Sequence, residues 1–279
     1  MRTLVTLGHG YSAAALAASL AGWRVVGTTR SPEKAAAMRA AGVEPVDWAD
    51  RAAVDRAIAA ADALLASLPP AADGDPVIAR HADALAGTGA EWAGYLSTTG
   101  VYGDRRGGWA GEEDALEPSG ERGRRRVAAE AAWTATGLPV HHFRLAGIYG
   151  PGRSVLDRLR AGRAQRVVKP GQVFSRIHVA DIAAVLAASL ARPDPGRAYN
   201  VADDLPAPPE IVIDYAAGLL GMPAPPTVAF EDAQLPPLAR SFWQDSRRVA
   251  NRRIKEELRV SLAYPDYRSG LRAVLAAGG

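Results

Sequence analysis

The stretch from Thr3 to Arg30 constrains the fold of this chain more than any other. It begins with an apolar and β-branched run, continues through Gly8-His9-Gly10 into an alanine-rich segment, and becomes β-branched and apolar again from Arg24 to Thr28. Strand, glycine turn, helix and strand within about thirty residues are typical of a βαβ unit that binds a dinucleotide. Gly8 allows the tight turn, Gly10 lets the backbone approach a pyrophosphate, and the helix N-terminus offers unpaired N–H groups to the phosphates.

Ala13 occupies the third position of the G-x-G-x-x-G pattern, where a small side chain suffices for packing of helix on strand. An ordinary glycine turn in an α/β protein is the alternative interpretation. A signal peptide is a second alternative, because Arg2 precedes this apolar run. We reject it because the glycines interrupt the run and the following strand completes the βαβ unit. In this unit we expect a cofactor to contact Gly8, His9, Gly10, Tyr11 and Ser12.

The end of the second strand distinguishes the two nicotinamide dinucleotides. An NAD site has Asp or Glu there to accept hydrogen bonds from the ribose 2′-OH, whereas an NADP site has Arg for the 2′-phosphate. Here Thr29-Arg30 occupies the position, and no acid occurs from Thr28 to Ser31. One charge-assisted contact contributes about 1.5–3 kcal/mol, so the sequence predicts roughly 10- to 100-fold preference for NADP. The alternative is that Arg30 is a solvated loop residue.

Composition and charge exclude several classes of function. The 279 residues carry a net charge of only +3 and no basic stripe interleaved with aromatics, so we expect no nucleic-acid partner. Zero cysteines exclude disulfides, thiolate catalysis and cysteine metal sites, and the five histidines lack a metal-ligand spacing. We therefore expect no metal site. No apolar run reaches the roughly 18 residues of a membrane span, so we expect no membrane partner and a cytoplasmic location.

Strands and helices alternate regularly through the first half of the chain. Ser67, Leu68 and Pro69 end the fourth strand, at the edge where doubly wound sheets bind ligands, and we expect them to contact the cofactor. Six strands with helical crossovers imply an α/β fold with a doubly wound parallel sheet of the Rossmann type. The strands are predicted at residues 4–7, 24–28, 43–46, 63–67, 92–97 and 140–145, and the helices at 12–21, 31–41, 50–61, 76–86 and 122–136.

The pattern loosens after Gly147. A helix at 179–191 and a strand at 198–201 are predicted to return to the main sheet, and the polar, glycine-rich segment 104–118 is predicted to lie across the site. From Leu205 the chain is proline-rich, with helices predicted near 209–220, 246–258 and 267–277. We interpret residues 1–150, completed by about 177–202, as an NADP-binding Rossmann domain, and residues 151–176 and 203–279 as a small C-terminal substrate-binding cap.

Four further segments follow the glycine turn in order: YLSTTGVYG from Tyr95, RLAGIYGPGR from Arg144, RIHVADIA from Arg176 and YNVA from Tyr199. Together with the turn they resemble the extended short-chain dehydrogenase/reductase family, in its epimerase/dehydratase branch, over about residues 1–202. For each hydroxyl or tyrosine in these segments the alternative role is strand-end capping or core packing. We favour that alternative for Tyr102, and for His178 and Asp181 as well.

The resemblance implies catalytic roles for three residues. Thr98 would hydrogen-bond the substrate oxygen. The family's Tyr-x-x-x-Lys pair falls on Arg122 and Arg126, so the usual acid/base is absent. Arginine cannot shuttle a proton, but Arg122 could stabilise negative charge on a carbonyl oxygen, and Arg126 could bind the cofactor ribose. The alternatives for these arginines are simple solvation, or charges offset by the carboxylates at 112–114 or by an anionic ligand.

The substrate segments also depart from the family pattern. Nucleotide-sugar members commonly have an Arg where this chain has Phe174, and Arg176 is offset from it by two residues. The later Arg-x-Gly-Asp element of those members is missing, so the chain resembles an atypical, shortened branch. We expect Thr99, Tyr149 and Arg176 to contact the substrate, with water or Tyr149 supplying a proton.

The sequence thus predicts an NADP(H)-dependent oxidoreductase or epimerase-like enzyme acting on a small carbonyl, imine or alcohol. A non-catalytic NADP-binding redox-sensing regulator is the alternative from another class, and a nucleotide-sugar epimerase or dehydratase is a third possibility. The only partner expected besides the small-molecule substrate is a second copy of the chain. The family often forms homodimers through the helices that correspond to residues 76–86 and 122–136.

Overall fold

The computed structural model describes residues 1–278. Its N-terminal part alternates between strand and helix as the sequence predicts. Ser31 and Asp50 cap two of the helices by accepting the backbone N–H of Lys34 at 3.2 Å and of Ala53 at 2.9 Å. The elements are β1 (Thr3–Leu7), α1 (Tyr11–Ser19), β2 (Arg24–Thr29), α2 (Pro32–Ala40), β3 (Glu44–Asp47), α3 (Arg51–Ala59), β4 (Ala63–Ala66), α4 (Pro76–Ala86) and β5 (Trp92–Thr98).

The middle of the chain completes the sheet and adds four short strands outside it. A 3₁₀ turn at Thr99–Tyr102 follows β5 directly. The elements after it are β6 (Trp109–Ala110), α5 (Glu121–Ala135), β7 (Val140–Leu145), β8 (Gly147–Tyr149), α6 (Val155–Arg160), β9 (Arg166–Val168), β10 (Arg176–His178), α7 (Val179–Ala191) and β11 (Ala198–Val201).

The C-terminal part departs from the sequence prediction in one segment. The helix predicted over residues 246–258 is wrong in its first half, where the strand β13 (Arg248–Val249) pairs with β6. The Arg248 N–H donates to Gly108 O at 2.8 Å and the Ala250 N–H to Ala110 O at 2.9 Å. Pairing with a distant segment therefore overrides local helix propensity. The elements are α8 (Pro209–Leu219), β12 (Thr227–Ala229), α9 (Pro237–Ser241), β13 (Arg248–Val249), α10 (Arg252–Glu256) and α11 (Tyr267–Ala276).

Seven parallel strands form the central sheet in the order β11-β7-β5-β4-β1-β2-β3. Because successive side chains of a strand point to opposite faces, Leu4 packs with α1 and α7 on one face while Val5 packs with α3 and α5 on the other. The predicted doubly wound Rossmann fold is confirmed. The strand order reverses between β1 and β4, which puts the expected ligand crevice at the carboxyl ends of these strands.

A third apolar cluster lies outside the sheet and is built mainly from α6, α8 and α11, with Leu156, Val212 and Leu271 among its buried members. The small pair β8–β10 continues from β7 toward this cluster, and an isolated bridge joins Phe174 to Ala207. The division into a Rossmann domain and a cap stays a prediction, and Gly279, the last residue assigned to the cap, lies outside the described residues.

Candidate active site

The glycine turn after β1 is held by the ends of two neighbouring strands. The Gly8 N–H donates to Thr28 Oγ1 at 2.7 Å, and the Ser67 hydroxyl donates to Gly8 O. Gly8 has a φ of +92°, and a Cβ there would stand 2.8 Å from Leu68 Cδ2. Only glycine adopts this conformation at this distance from Leu68 without strain. Ser67 and Leu68, which the sequence places near the cofactor, therefore contact the glycine turn. Pro69 follows them and is exposed.

Gly10 differs from Gly8 because it faces open space. It is the N-cap of α1 with no side-chain cap, and a Cβ on it would meet no atom within 4 Å. The first helical N–H to find a backbone partner is that of Ala14, which donates to Gly10 O, so the N–H groups of Tyr11 and Ser12 point outward unpaired. An open space at a helix N-terminus free of acidic residues fits a dinucleotide pyrophosphate.

The side chains of His9, Tyr11 and Ser12 have structural contacts. His9 Nδ1 lies 2.9 Å from Thr6 Oγ1, and burial lowers the pKa of His9, so the ring is neutral at neutral pH. The Tyr11 hydroxyl donates to Pro151 O at 2.9 Å, whereas Ser12 is buried. Any contact that Ser12 makes with a pyrophosphate would therefore come from its backbone N–H, whereas the backbone N–H of His9 already donates to Thr28 O at 3.0 Å.

The end of β2 presents Arg30 to solvent. Arg30 is exposed, and among residues 1–278 no carboxylate lies within 4 Å of its guanidinium. Thr29 O accepts the Trp48 N–H at 2.9 Å, so the end of β3 lies against the end of β2. Asp47 and Trp48 lie at the same carboxyl edge of the sheet as Arg30. The sequence analysis did not select them, although residues at the end of a predicted strand are candidates for ligand contact.

Thr98 ends β5 with a hydroxyl that retains its donor capacity. Thr98 Oγ1 accepts the Gly100 N–H at 3.1 Å, so the hydroxyl proton is free for another acceptor. Thr99 is buried, with 8% of its surface exposed, because its side chain turns inward in the 3₁₀ turn. The sequence-based assignment of Thr99 as a substrate contact is therefore not supported by its placement.

Arg122 and Arg126 lie one turn apart on α5 and hence on the same face of the helix. Arg126 Nη1 donates to Leu96 O at 2.7 Å and to Tyr95 OH at 3.0 Å, which fixes its guanidinium at the carboxyl end of β5. Burial raises the pKa of Tyr95 to about 12, so this phenol stays protonated. Arg122 is exposed, and its guanidinium stacks on the Phe242 ring at 4.9 Å.

The other two arginines at the start of α5 have a local partner that the sequence analysis missed. Glu121 pairs with Arg124 at 3.1 Å and with Arg125 at 3.0 Å. The carboxylates at 112–114 serve elsewhere: Glu112 accepts the Asn200 N–H, and Glu113 pairs with Arg253. Arg122 and Arg126 have no carboxylate within 4 Å among residues 1–278.

A buried polar network supports the site from behind. The Ser97 hydroxyl donates to Glu130 Oε1 at 2.5 Å, and Glu130 pairs with Arg144 at 2.9 Å, with both side chains under 10% exposed. Arg144 also donates to the Tyr102 hydroxyl, which donates to Asn200 Oδ1 at 2.7 Å. Every charge in this network has a partner, so it ties α5 to the ends of β5, β7 and β11. Tyr102 is therefore structural, as the sequence analysis favoured.

His178 and Asp181 are structural as well. His178 Nδ1 accepts the Ala180 N–H at 3.2 Å and so caps α7, while burial lowers the pKa of His178 to about 4. The Asp181 carboxylate accepts the backbone N–H groups of Ala263 at 2.7 Å and Tyr264 at 3.1 Å. These contacts join α7 to the segment that precedes α11.

Tyr149 is buried against the C-terminal helix α11. It is 8% exposed, its hydroxyl donates to Asp266 O at 3.4 Å, and its ring packs directly on Gly270 of α11. Burial raises the pKa of Tyr149 far above its usual range. The expectation that Tyr149 contacts substrate and supplies a proton is corrected: the phenol is enclosed by the C-terminal helix.

Arg176 lies further along the carboxyl edge of the sheet. Thr98 is paired with Leu145 in the sheet, and two residues later Gly147 is paired with Arg176. Arg176 Nη1 donates to Phe174 O at 2.9 Å and to Ala207 O at 3.1 Å. Burial lowers the pKa of Arg176 to about 10, and the charge of nearby Arg158 acts in the same direction.

Asp203 approaches Arg176 without forming an ion pair. Its backbone N–H donates to Arg176 O at 2.7 Å, but its carboxylate is not within 4 Å of that guanidinium. Asp203 is 1% exposed, its Oδ2 has no hydrogen-bond partner, and burial raises its pKa to about 8. The charge of Asp203 favours the protonated form of Arg176, but the two side chains form no direct ion pair.

No protein-family model and no curated sequence matches the chain. A solved structure of a functionally unknown conserved protein from Silicibacter pomeroyi DSS is 52% identical, with a TM-score of 0.93 over 100% of this chain and 99% of that one. The chain belongs to the same family as that protein. The match extends over the sheet and the C-terminal helices alike.

Two more distant structures relate this family to enzymes. A putative NAD-dependent epimerase/dehydratase from Methylobacillus flagellatus is 25% identical, with a TM-score of 0.76 over 99% of this chain and 98% of that one. MoeE5 in complex with UDP-glucose and NAD is 20% identical, with a TM-score of 0.79 over the same shares. The chain therefore has the epimerase/dehydratase fold that its motifs predict.

Two kinds of feature are absent from residues 1–278. These residues contain no helix long and apolar enough to cross a membrane. They also contain no group of three or more histidine, aspartate and glutamate side chains arranged to hold a metal ion.

Proposed function

We propose that the protein is an NADP(H)-dependent oxidoreductase or epimerase-like enzyme acting on a small carbonyl, imine or alcohol. The observation that carries this proposal is the free hydroxyl donor of Thr98 at the end of β5, where Arg126 is held by Leu96 O and Arg122 lies one turn earlier on the same face of α5. A nicotinamide dinucleotide would supply or accept the hydride when bound. NAD in the structure of MoeE5, which shares the fold, supports this class of cofactor.

Each residue of the site has a distinct proposed role. Thr98 donates a hydrogen bond to the reacting oxygen of the substrate. Arg122 stabilises negative charge that develops on that oxygen, because a guanidinium stays protonated at any ordinary pH. Arg126 holds the cofactor ribose with the nitrogens not engaged by Leu96 O, and Arg30 binds the 2′-phosphate of NADP. Water supplies the proton, since Tyr149 is enclosed by α11.

A non-catalytic NADP-binding regulator is the alternative, and the Arg-x-x-x-Arg pair favours it. Neither Arg122 nor Arg126 can exchange a proton as a phenol does. The two phenols nearest the site, Tyr95 and Tyr102, are fully buried and bonded within the protein. Tight NADP binding without turnover of any carbonyl or imine would support the regulator.

A nucleotide-sugar epimerase or dehydratase is favoured by a different observation. Neither Arg176 nor Arg158 has a carboxylate within 4 Å among residues 1–278, and the unpaired charge of the partly buried Arg176 is unfavourable. A diphosphate would neutralise both guanidinium groups. UDP-glucose bound by MoeE5 is a substrate of this kind. Binding of a nucleotide diphosphate that Arg176→Gln abolishes would support this reading.

Turnover of variants tests the leading proposal. Arg122→Ala should lower the rate of NADPH oxidation with a carbonyl substrate while leaving NADPH affinity nearly intact. Loss of one oxyanion donor costs about 2.7–4 kcal/mol, or roughly 100- to 1000-fold in rate. Thr98→Val removes the hydroxyl at nearly constant volume and should have the same effect. Arg126→Ala should instead weaken cofactor binding.

Arg124→Ala is the matched control. Arg124 lies on the same turn of α5 but pairs with Glu121 in solvent, so its loss should leave turnover unchanged. Full turnover in both Arg122→Ala and Thr98→Val would remove the basis for this active site and leave the regulator as the better reading.

A further inference from the structure

Arg247 of the segment before β13 reaches the turn that contains Thr98. Its Nη1 donates to Gly103 O at 2.6 Å and to Asp245 Oδ2 at 2.9 Å, and its side chain is 16% exposed. The point that a Cβ on Gly100 would occupy is 3.8 Å from Arg247 Nη2 and 3.4 Å from Thr98 Oγ1. Arg247 and the Thr98 hydroxyl therefore border the same small patch.

Most of the donor capacity of Arg247 is unused by the protein. A guanidinium has five N–H donors, and both hydrogen bonds of Arg247 use Nη1. Nε and Nη2 make no hydrogen bond to residues 1–278, and neither is sealed from solvent. The hydrogen bond that joins this segment to Gly103 uses Nη1 alone. Nε and Nη2 therefore remain available to a ligand beside Thr98.

The start of α5 closes the opposite side of this patch. A Cβ on Gly123 would be 2.9 Å from Gly100 O, so the first turn of α5 lies against the same turn. Arg122 stacks on Phe242, and a Cβ on Gly120 would be 3.8 Å from Gln244 Oε1. The segment 242–247 thus spans from Arg122 to Arg247 across the mouth of the site.

The charges around the mouth do not balance. Asp245 is the one carboxylate within 4 Å of Arg247, and within the described part of the chain none lies within 4 Å of Arg122 or Arg126. The N-cap Gly120 of α5 provides no side-chain acceptor, and the one acidic residue of the first turn, Glu121, is paired with Arg124 and Arg125. Excess positive charge with free donors matches an anionic ligand.

We propose that Arg247 holds an anionic oxygen group of the substrate, a carboxylate or a phosphate ester, beside Thr98, while Arg122 keeps its proposed role at the reacting oxygen. The proposal rests on the proposed function and specifies its substrate class: the carbonyl or alcohol to be reduced or oxidised carries an acidic group near the reacting carbon. Arg247 binds that group through Nε and Nη2, while Thr98 donates to the reacting oxygen. The oxidoreduction itself needs no co-reactant other than the nicotinamide dinucleotide.

Matched probes differing only in charge test this site. The protein saturated with NADP is titrated by calorimetry with pyruvate and pyruvamide, and with hydroxyacetone phosphate and hydroxyacetone. The charged member of at least one pair should bind roughly 10- to 100-fold more tightly, as expected for a charge-assisted contact. The two pairs distinguish a carboxylate from a phosphate ligand. Equal affinities within both pairs, or no binding of either anion at millimolar concentration, would overturn the proposal.

Variants of single arginines test which side chain causes the tighter binding of the charged probe. Arg247→Gln should abolish the preference for the charged probe, and Arg247→Lys should retain part of it. Arg240→Gln is the control: Arg240 lies on α9, just before the segment 242–247, but stacks on Phe230 at 4.4 Å, so the preference should persist. The preference for the charged probe could instead survive Arg247→Gln and disappear in Arg158→Gln. That result would assign the anion to Arg158 and Arg176 and overturn the proposal.

Measurements of NADPH affinity and turnover distinguish failure of the anionic-substrate proposal from failure of the proposed function. If Arg247→Gln binds NADPH normally, loss of anion binding cannot be attributed to unfolding. If neutral carbonyls are reduced without any preference for anions, the substrate-class proposal fails and the enzyme assignment stands. If NADPH binds but no carbonyl is reduced, the enzyme assignment itself fails.

Discussion

Two glycines in one turn should respond in opposite ways to the same substitution. Gly10 has a φ of −100°, and a Cβ there meets nothing within 4 Å, so Gly10→Ala fits the free protein. Reduced entropy of the unfolded chain favours alanine by about 0.4–1 kcal/mol, and poorer N-capping offsets a similar amount. We therefore expect the free energy of unfolding to change by less than about 1 kcal/mol.

Cofactor binding by Gly10→Ala should nevertheless fall. The added methyl group occupies the space above the unpaired N–H groups of α1, where we propose that the pyrophosphate lies. Crowding by one methyl group in a packed contact costs on the order of 1–3 kcal/mol, which corresponds to roughly 10- to 100-fold weaker NADPH binding. Urea unfolding and calorimetric titration with NADPH measure the two quantities on the same protein.

Gly8→Ala should behave differently. Its φ of +92° and the 2.8 Å approach of Leu68 Cδ2 mean that alanine strains the folded state itself, at a cost of about 1–3 kcal/mol. Gly22→Ala is the control for strain alone, because Gly22 has a φ of +77° and open space, at the opposite end of α1. It should lower stability by roughly 1–2 kcal/mol and leave NADPH binding intact. Unchanged NADPH affinity in Gly10→Ala would refute the proposed pyrophosphate position.

Three further outcomes are expected. NADPH should bind at least about tenfold more tightly than NADH, and Arg30→Asp should remove the difference; equal affinities in the unmodified protein would contradict this. Because burial raises the pKa of Asp203 to about 8, the folded state retains a proton that the unfolded state has lost above its ordinary pKa near 3.8. The free energy of unfolding should therefore decrease with rising pH across this window, by up to about 1.4 kcal/mol per pH unit, and Asp203→Asn should flatten the curve in urea titrations. Light scattering at micromolar concentration should give a dimer mass, through α4 and α5 as the family resemblance implies, and a monomer mass would exclude it.

The sequence by itself determined the sheet and the glycine turn. The strands are short apolar runs separated by helices whose caps, such as Ser31 and Asp50, are local signals. The turn at Gly8 and Gly10 likewise depends on residues adjacent in the chain. Parallel strands with crossover helices allow few arrangements, so the carboxyl ends of β1, β2, β4 and β5 could be predicted to meet at one edge.

Tertiary structure alone decided which side chains face that edge. Tyr149 lies at the end of a predicted motif, yet α11, more than a hundred residues later, encloses its hydroxyl. Residues 246–250 have helix propensity but pair with β6, because hydrogen bonds to Gly108 and Ala110 outweigh a weak local preference. Arg247 carries no sequence signal that separates it from Arg248, and only the packing of its segment against Gly100 brings it beside Thr98. Contacts between residues distant in sequence depend on how the C-terminal segments pack on the sheet, and no local pattern encodes that.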